Sequence, residues 1–220
     1  KGLMREIRPE LWASEDDKGI VGEISIAYCP ERVLPGNILY ELVQNDRIIG
    51  GLSAKCSKKA VEFYKIFVKA DCFVTDARTA ELSKLVENSS RDVNIAFANE
   101  LSLICDKLDI NVWELINLAN HHPRVNILQP GPGVGGHCIA VDPWFIVDSA
   151  PLESRLIRTA RIVNDSKPEF VLNKVKQAIQ ILTKEPTELS IACLGLSFKP
   201  DIDDLRESPA LDIAKKIGLM

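Results

Sequence analysis

A single cysteine, Cys138, ends a run of glycines and prolines and is the residue of this sequence best suited to covalent chemistry. The run reads GPGVGGHCIAVDP and occupies 131–143. Glycines let backbone N–H groups approach a ligand closely, and a helix that begins just after the cysteine would add the positive end of its dipole. Both features favour a thiolate and stabilise the anion that forms when a thiolate attacks a carbonyl group. The pattern therefore indicates a nucleophile, with a structural cysteine buried in a turn as the alternative.

Other polar residues have a spacing that would serve such a nucleophile. Asp142 follows Cys138 by one helical turn, where its carboxylate would hold a water; an ordinary carboxylate in the first turn of a helix is the alternative. Lys84 and Asn88 are spaced i, i+4, so they share one face of a helix. An amine and an amide that point into a cleft would hold an oxyanion, whereas a solvated helix face is the alternative.

Charged residues also follow the predicted strands at both ends of the chain. Glu31 comes directly after a strand and a proline, a usual place for ligand contacts, although a carboxylate in a turn is the simpler interpretation. Lys199 and Arg206 follow a strand near the other end, where two cations would suit a phosphate or a diphosphate. Ion pairs with the neighbouring acidic residues are the alternative. Arg124 would reach a phosphate or hold its own loop.

The elements that must position these residues change in type along the chain. The pattern predicts strands at 23–30, 47–52 and 72–76, with a helix over 54–70. Residues 79–107 contain neither proline nor glycine and predict one long helix or two nearly continuous ones.

Further helices and one more strand are predicted beyond residue 108. The helices occupy 110–120, 139–149, 152–165 and 168–183, and the strand 189–196 leads to a helix near 209–217. The sequence therefore predicts an α/β fold in three parts: the end of one α/β domain (1–76), a helical centre (77–186) and the start of a second α/β domain (187–220).

The composition limits the classes of function. The chain has 220 residues, of which 46% are hydrophobic and 26% charged, and a net charge of -4. The sequence has no basic stripe for nucleic acid and no apolar run near the roughly 18 residues of a membrane span. Six scattered cysteines and three histidines indicate a reducing, cytoplasmic location, most cysteines as small buried apolar residues, and no metal site. No G-x-G-x-x-G follows a predicted strand.

Taken together, the motifs resemble the UDP-glucose/GDP-mannose dehydrogenase family, the nucleotide-sugar 6-dehydrogenases. The resemblance is carried by CPERVLPG, AELSKLVEN, GPGVGGHCIAVDP and FKPDIDDLRES, in this order and spacing. The segments NDRIIGG and RLIRTAR are nearest to the branch that acts on UDP-N-acetyl-D-mannosamine. Pro35 stands where enzymes for UDP-glucose carry a glutamate, which disfavours that sugar.

The resemblance implies a reaction and a role for each catalytic residue. Family members oxidise the C6 alcohol of the sugar to a carboxylate with two NAD⁺. Cys138 is implied to capture the aldehyde as a thiohemiacetal and to pass through a thioester. Lys84 is implied to stabilise the oxyanion with Asn88 beside it, Asp142 to assist proton transfer through water, and Glu31 to assist hydrolysis of the thioester.

The resemblance also implies the binding residues, the domains and the partners. Gly135, Phe198 and Lys199 would contact the UDP-sugar, Arg124 would reach it from a partner subunit, and Arg206 would contact NAD. The implied architecture is the end of a Rossmann-like NAD domain, a central all-α dimerisation domain that forms a homodimer through the long helix, and the start of a Rossmann-like UDP-sugar domain. The implied role is in bacterial surface polysaccharide synthesis.

Parts of the family pattern are not found in this sequence. Most of the N-terminal NAD domain and most of the C-terminal domain lack a counterpart, so the sequence predicts a fragment that does not turn over alone. Two alternatives stay open. One is a dehydrogenase of another nucleotide sugar (UDP-glucose, UDP-N-acetylglucosamine or GDP-mannose), and the other is a dimerisation or binding module without catalysis.

Overall fold

The computed structural model describes residues 6–7, 24–33, 36–182, 189–199 and 203–220. The chain forms two compact units that divide between Lys84 and Leu85. The described strands lie in the first unit, and most of the described helical length lies in the second. This arrangement confirms the predicted α/β fold with a helical centre. Pro35 and the predicted domain boundary at 186/187 lie outside the described residues.

The first unit is a small sheet with a helical crossover. Its elements are β1 (Ala27–Tyr28), α1 (Ile38–Gln44), β2 (Arg47–Gly51), α2 (Ala54–Tyr64), β3 (Cys72–Asp76) and the first turns of α3 (Ala77–Leu108). Strand β2 pairs antiparallel with β1 and parallel with β3. A parallel pair needs a crossover, and α2 supplies it. Ser53 begins α2 by accepting from the Cys56 N–H, and Asp76 begins α3 by accepting from the N–H groups of Arg78 and Thr79.

The second unit consists of helices. It contains the rest of α3, then α4 (Val112–Ala119), α5 (Asp142–Ser149), α6 (Arg155–Ile181) and α7 (Pro209–Gly218). The end of α3 packs on α4 through a buried cluster of Cys105, Val112 and Ile116, with Leu101 and Ile127 packed against it. This packing follows from apolar residues that recur at helical spacing on both helices.

Helix α6 differs from the prediction of two helices, 152–165 and 168–183. It runs without a break through Pro168. Proline lacks the N–H that would donate to the carbonyl of Asn164 and costs about 3 kcal/mol inside a helix. Before the proline, Asn164 and Lys167 are buried against α3, and after it Lys174 pairs with Asp106 of α3. Tertiary contacts on both sides of the proline therefore hold the helix together.

Three further predictions about elements were wrong in part. Residues 189–196, predicted as a strand, form no ladder among the described residues, because a strand requires a partner. The first predicted strand is reduced to Ala27–Tyr28, and the predicted helix 54–70 ends at Tyr64. Helix α1 was not predicted, since it is short and follows a proline–glycine pair.

The cysteines and the helices bear on two broader expectations. The expectation that most cysteines are buried was wrong, because Cys56 and Cys105 are buried, Cys29 and Cys72 are half-buried, and Cys138 and Cys193 are exposed. Cys193 is exposed because the segment around it joins no sheet. All six cysteines are free. Among the described residues, no helix has both the length and the apolar character of a membrane span.

Candidate active site

Cys138 is exposed and lies in the turn that leads into α5. Its carbonyl oxygen accepts from the N–H of Val141 at 3.0 Å and from that of Asp142 at 2.8 Å. Pro143 occupies the first turn of the helix, where its missing N–H has no cost. The helix therefore begins three residues later than predicted, and the thiol precedes it, accessible to a ligand.

Asn88 and Asp142 are joined by a hydrogen bond between their side chains. The side-chain N–H of Asn88 donates to Asp142 Oδ2 at 2.5 Å, which ties the middle of α3 to the start of α5. The two residues are 54 positions apart in the sequence. The bond fixes the carboxylate one turn from the thiol and leaves its second oxygen for another partner.

The glycine loop lies directly against the segment that follows residue 196. A Cβ on Gly135 would stand 2.5 Å from Phe198 Cβ and 2.6 Å from the carbonyl oxygen of Glu207. Gly136 has a φ of +78°. A Cβ added to Gly136 would lie 3.0 to 3.4 Å from three atoms of the Phe198 ring. Two residues predicted to bind substrate, Gly135 and Phe198, are therefore neighbours. The glycines are required here for the contact of one chain segment with another.

A buried polar cluster, formed by Asp92, Asn99, Arg161 and Asn164, was missed by the sequence reasoning. Arg161 Nη1 donates to Asp92 Oδ1 at 2.7 Å, and Asn164 Nδ2 donates to the same oxygen at 2.8 Å. Asn99 Nδ2 donates to Asn164 Oδ1 at 2.8 Å, and Asn99 Oδ1 accepts from the N–H of Gly131 at 2.9 Å. The cluster thus links α3 and α6 to Gly131, the first residue of the glycine loop that ends in Cys138.

Charge and burial oppose one another within this cluster. All four side chains are at most 2% exposed. Burial raises the pKa of Asp92 above its ordinary value, against the opposing effect of the Arg161 guanidinium. A signal was present in the sequence, because Asp92 and Asn99 are seven residues apart and share a helix face, but nothing marked that face as buried.

Lys199 and Arg206, the two cations predicted to bind a phosphate, are both exposed. Arg206 forms a two-point ion pair with Asp204, at 2.6 and 2.9 Å. Hydrogen bonds from Arg206 lower the pKa of Asp204 to about 2, and the charge of His137 acts in the same direction. The ion pair that stood as the alternative for Arg206 is therefore formed, beside the residue that precedes Cys138.

Arg124 lies after α4 in a loop that the chain itself clamps. The side chain of Asn120 donates to the Ile127 carbonyl at 2.9 Å and accepts from the Ile127 N–H at 2.7 Å. Arg124 is exposed, and among the described residues its guanidinium forms no ion pair. Its side chain is thus free to meet a group outside this chain.

Glu31 and Lys84 belong to the first unit. The two oxygens of Glu31 both accept from Nη1 of the buried Arg47 at 3.0 Å. Burial raises the pKa of Glu31. Hydrogen bonds from the N–H of Arg32 and from Arg47 outweigh this effect and bring the pKa below its usual value. Lys84 is half-buried on α3, one turn before Asn88. Glu31 is thus an ionised carboxylate that neutralises a buried arginine.

Known proteins resemble this chain in sequence and in structure. Three domain models described as UDP-glucose/GDP-mannose dehydrogenase family match it: the NAD binding domain over 2–68, the central domain over 78–166 and the UDP binding domain over 192–218. A UDP-N-acetyl-D-mannosamine dehydrogenase of Campylobacter jejuni is 67% identical over 200 residues, which make up 91% of this chain and 48% of that protein.

Two further relatives are also dehydrogenases of nucleotide sugars by name. An NDP-N-acetyl-D-galactosaminuronic acid dehydrogenase of Ralstonia nicotianae is 65% identical over 208 residues, 94% of this chain and 48% of that protein. The solved structure of a UDP-D-ManNAc dehydrogenase from Pyrococcus horikoshii is 47% identical with a TM-score of 0.82, over 89% of this chain and 47% of that one. The chain spans about half of the length of these relatives. The resemblance inferred from the motifs is confirmed, and so is NAD as the cofactor of the matching domain.

Among the described residues, Arg206 has the donor chemistry that a phosphate group of NAD requires. It is an exposed guanidinium, but a phosphate would first have to displace Asp204 from it. The G-x-G-x-x-G at 131–136 does not follow a strand among the described residues, so it lacks the context of a dinucleotide-binding motif. The Arg206 guanidinium is therefore suited to contact one phosphate group of NAD.

Proposed function

We propose, because this chain belongs to the UDP-glucose/GDP-mannose dehydrogenase family, that the whole protein oxidises C6 of UDP-N-acetyl-D-mannosamine from alcohol to carboxylate. The observation that carries the proposal is the exposed thiol of Cys138 in the turn into α5, four residues before Asp142, whose carboxylate is held by Asn88. An oxidation that stops at an aldehyde needs no nucleophile, whereas one that continues to a carboxylate gains from a group that retains the aldehyde. The names of the relatives support this sugar nucleotide.

The thiol of Cys138 carries the intermediate between the two oxidations. Once C6 is an aldehyde, Sγ bonds to it and the thiol proton passes to the carbonyl oxygen, which gives a thiohemiacetal. Loss of a hydride and of the hydroxyl proton leaves a thioester. Water then attacks the thioester carbon, the C–S bond breaks, and the products are the carboxylate and the free thiol. NAD, when bound, accepts one hydride in each oxidation, so two are reduced per sugar.

Asp142 is proposed to manage the protons of these steps. Its Oδ2 is engaged by Asn88, so Oδ1 is the atom that can hold a water and take its proton during hydrolysis. Asn88 acts by keeping the carboxylate in one orientation. We also propose that the Lys84 ammonium stabilises the oxyanion at C6 and that Glu31 assists hydrolysis, for which its lowered pKa keeps it ionised.

Substrate binding is proposed to involve both segments that meet at the glycine loop. Phe198 packs on Gly135 and can present a ring face to the sugar or the base, and the exposed Lys199 suits the diphosphate. Arg124 would contact the substrate bound to a partner subunit, because its guanidinium forms no ion pair within the described part of this chain.

A homodimer through α3 is the proposed assembly. Val86, Phe97, Ile104 and Leu108 lie on one face of this helix and are 47 to 60% exposed. These four residues form the apolar stripe. An apolar stripe on a helix of 32 residues is suited to a second copy of the same helix. The proposed location is the cytoplasm, and the proposed role is the supply of an aminouronic acid for a bacterial surface polysaccharide.

The stoichiometry of NADH formation tests the reaction. The assay uses the protein at the full length of its relatives, with excess NAD⁺ and limiting UDP-N-acetyl-D-mannosamine, and follows NADH by absorbance. We expect two NADH per sugar nucleotide, lost in Cys138→Ala and kept in Cys193→Ala, which removes another exposed cysteine. One NADH per sugar, or full activity of Cys138→Ala, would contradict the thioester route.

The relative from Ralstonia nicotianae favours a second candidate substrate. At 65% identity it is nearly as similar as the relative from Campylobacter jejuni, and its name refers to N-acetyl-D-galactosaminuronic acid. A UDP-N-acetyl-D-galactosamine assay run in parallel separates the two sugars. A higher kcat/KM for that sugar would keep the chemistry and replace the proposed substrate. No NADH from any nucleotide sugar would favour the binding module.

A further inference from the structure

A cavity of about 490 Å³ lies among the end of α3, the start of α4, the middle of α6 and the segment 130–132. Pockets for small molecules commonly measure roughly 300 to 1,000 Å³. None of the residues assigned to the proposed reaction lines this cavity. Its chemistry therefore has to be explained separately.

The polar centre of the cavity is the amine of Lys167. Lys167 is 4% exposed, its Nζ donates to Ser102 Oγ at 2.6 Å, and it lies 4.5 Å from the centre of the Phe170 ring. Burial lowers the pKa of Lys167, against the opposing charge of Asp106. Within the described residues no carboxylate lies at ion-pair distance from this amine. Lys167 is therefore a buried ammonium that contacts a hydroxyl group and an aromatic ring but has no paired carboxylate among the described residues. Burying such a charge without an anion is costly.

The other charges of the cavity neutralise one another. Lys174 Nζ lies 2.5 Å from Asp106 Oδ1 at the rim, where both side chains are partly exposed. The remaining charge of the lining is the single positive charge of Lys167. A ligand with one negative charge would balance it, whereas a phosphate monoester carries a charge of about −1.5 to −2 near neutral pH.

The walls of the cavity are flat and apolar. Trp113 and Phe170 contribute aromatic rings, and Pro130 and Pro132 contribute proline rings. Flat apolar walls around one fixed polar group are the usual composition of a small-molecule site. They select a ligand whose charged group is attached to a planar apolar body.

The cavity lies apart from the apolar stripe proposed for the dimer. Ser102 and Asp106 are about half a helical turn around α3 from Ile104 of that stripe, at 100° per residue. The stripe and the cavity therefore lie on different faces of α3.

We propose that this cavity binds a small carboxylate with a flat apolar body. The carboxylate pairs with the Lys167 ammonium. Ser102 holds this ammonium in place, because its Oγ accepts from Lys167 while its hydroxyl donates to the Asn99 carbonyl at 2.6 Å. The body of the ligand lies against Phe170 and Trp113. Lys174 and Asp106 at the rim stay paired.

Calorimetric titration of the full-length protein with naphthalene-2-carboxylate tests the proposal. The neutral analogue naphthalene-2-methanol and the dianionic naphthyl phosphate are titrated in parallel. We expect one site, with the carboxylate bound at least roughly tenfold more tightly than either analogue, since a hydrogen bond to a charged group is worth about that factor. Saturating UDP-sugar should not displace it.

Variants locate the site within the protein. Lys167→Met should abolish the preference for the carboxylate over the alcohol, and Lys167→Arg, which keeps the charge, should retain it. Lys176→Met is the matched control on the same helix, because Lys176 does not line this cavity. If Lys167→Met does not fold, the variants Lys167→Arg and Ser102→Ala test the proposal instead. The former should keep the preference, and the latter should weaken carboxylate binding severalfold, because Ser102 Oγ holds the Lys167 ammonium in place.

Four results would overturn the proposal. They are equal binding of carboxylate and alcohol, tighter binding of the phosphate, displacement by UDP-sugar, and a preference that persists in Lys167→Met.

Discussion

Replacing Asn99 by alanine tests whether the buried polar cluster holds the cysteine loop. The Asn99 side chain accepts from the Gly131 N–H at 2.9 Å and donates to Asn164 Oδ1 at 2.8 Å. Alanine removes both bonds and leaves a half-buried N–H and a fully buried carbonyl oxygen without these partners. Each such group costs about 1 to 3 kcal/mol when unsatisfied. The N–H belongs near the low end and the oxygen near the high end, so we expect the free energy of unfolding to fall by about 4 kcal/mol.

Urea denaturation of the variant and of a matched control measures this loss. Asn94 is the control because it is exposed on the same helix, and its side chain donates within that helix to the Ser90 carbonyl. Asn94→Ala should change the free energy of unfolding by less than about 0.5 kcal/mol. Equal losses in the two variants would refute the assignment of a stabilising role to the cluster.

The same variant should also affect catalysis, because the cluster holds the first residue of the loop that ends in Cys138. A displacement of about 1 Å can cost up to a hundredfold in rate. We expect Asn99→Ala to lower kcat for the UDP-sugar at least tenfold, with a smaller change in KM, at a temperature where the variant is folded. An unchanged kcat in folded Asn99→Ala would show that the loop is positioned without the cluster.

Three further predictions concern the contacts around the loop. Gly135→Ala should lower the free energy of unfolding by about 3 kcal/mol in urea denaturation, because its Cβ would stand 2.5 Å from a neighbouring side chain. Gly131→Ala, whose Cβ meets its nearest atom at 4.0 Å, should be nearly neutral, and a similar loss in both would contradict the packing argument. Asn88→Ala should lower kcat about tenfold to a hundredfold with little change in melting temperature, since it releases the carboxylate at the start of α5, whereas Asn94→Ala should not. The pKa of Asp204, lowered to about 2 by its arginine partner, gives stability that is present above the unfolded pKa of about 4 and is lost as pH falls toward 2. Asp204→Asn should flatten the pH profile of unfolding in that range, and an unchanged profile would show that the pair contributes nothing.

Local patterns predicted the elements whose cause is local. Strand β3 occupies the predicted residues 72–76, and β2 differs from its predicted bounds by one residue. The long helix was predicted from a stretch without proline or glycine, and it extends by a few residues at its start because Asp76 caps it. In each of these cases the residues that fix the element lie within it or beside it.

Contacts between distant residues could not be predicted in this way. The buried polar cluster joins positions 65 and more residues apart, and polar residues on a helix give no sign of which face is buried. The strand expected at 189–196 depends on partners outside the segment itself. Helix α6 continues through Pro168 because of contacts with α3, which the local pattern could not show.

The candidate site shows how a loop rich in glycine can hold a nucleophile in place. Its first residue is bound by Asn99, its middle is packed on Phe198, and its end passes into α5, which Asn88 holds through Asp142. A glycine chain loses more conformational entropy on ordering than any other, so contacts from outside the loop have to offset that loss. The three contacts come from helix α3 and from the segment after residue 196, and they leave the thiol itself exposed. Cys138 is thus held through its backbone, which leaves its side chain free for the bond to C6 that we propose.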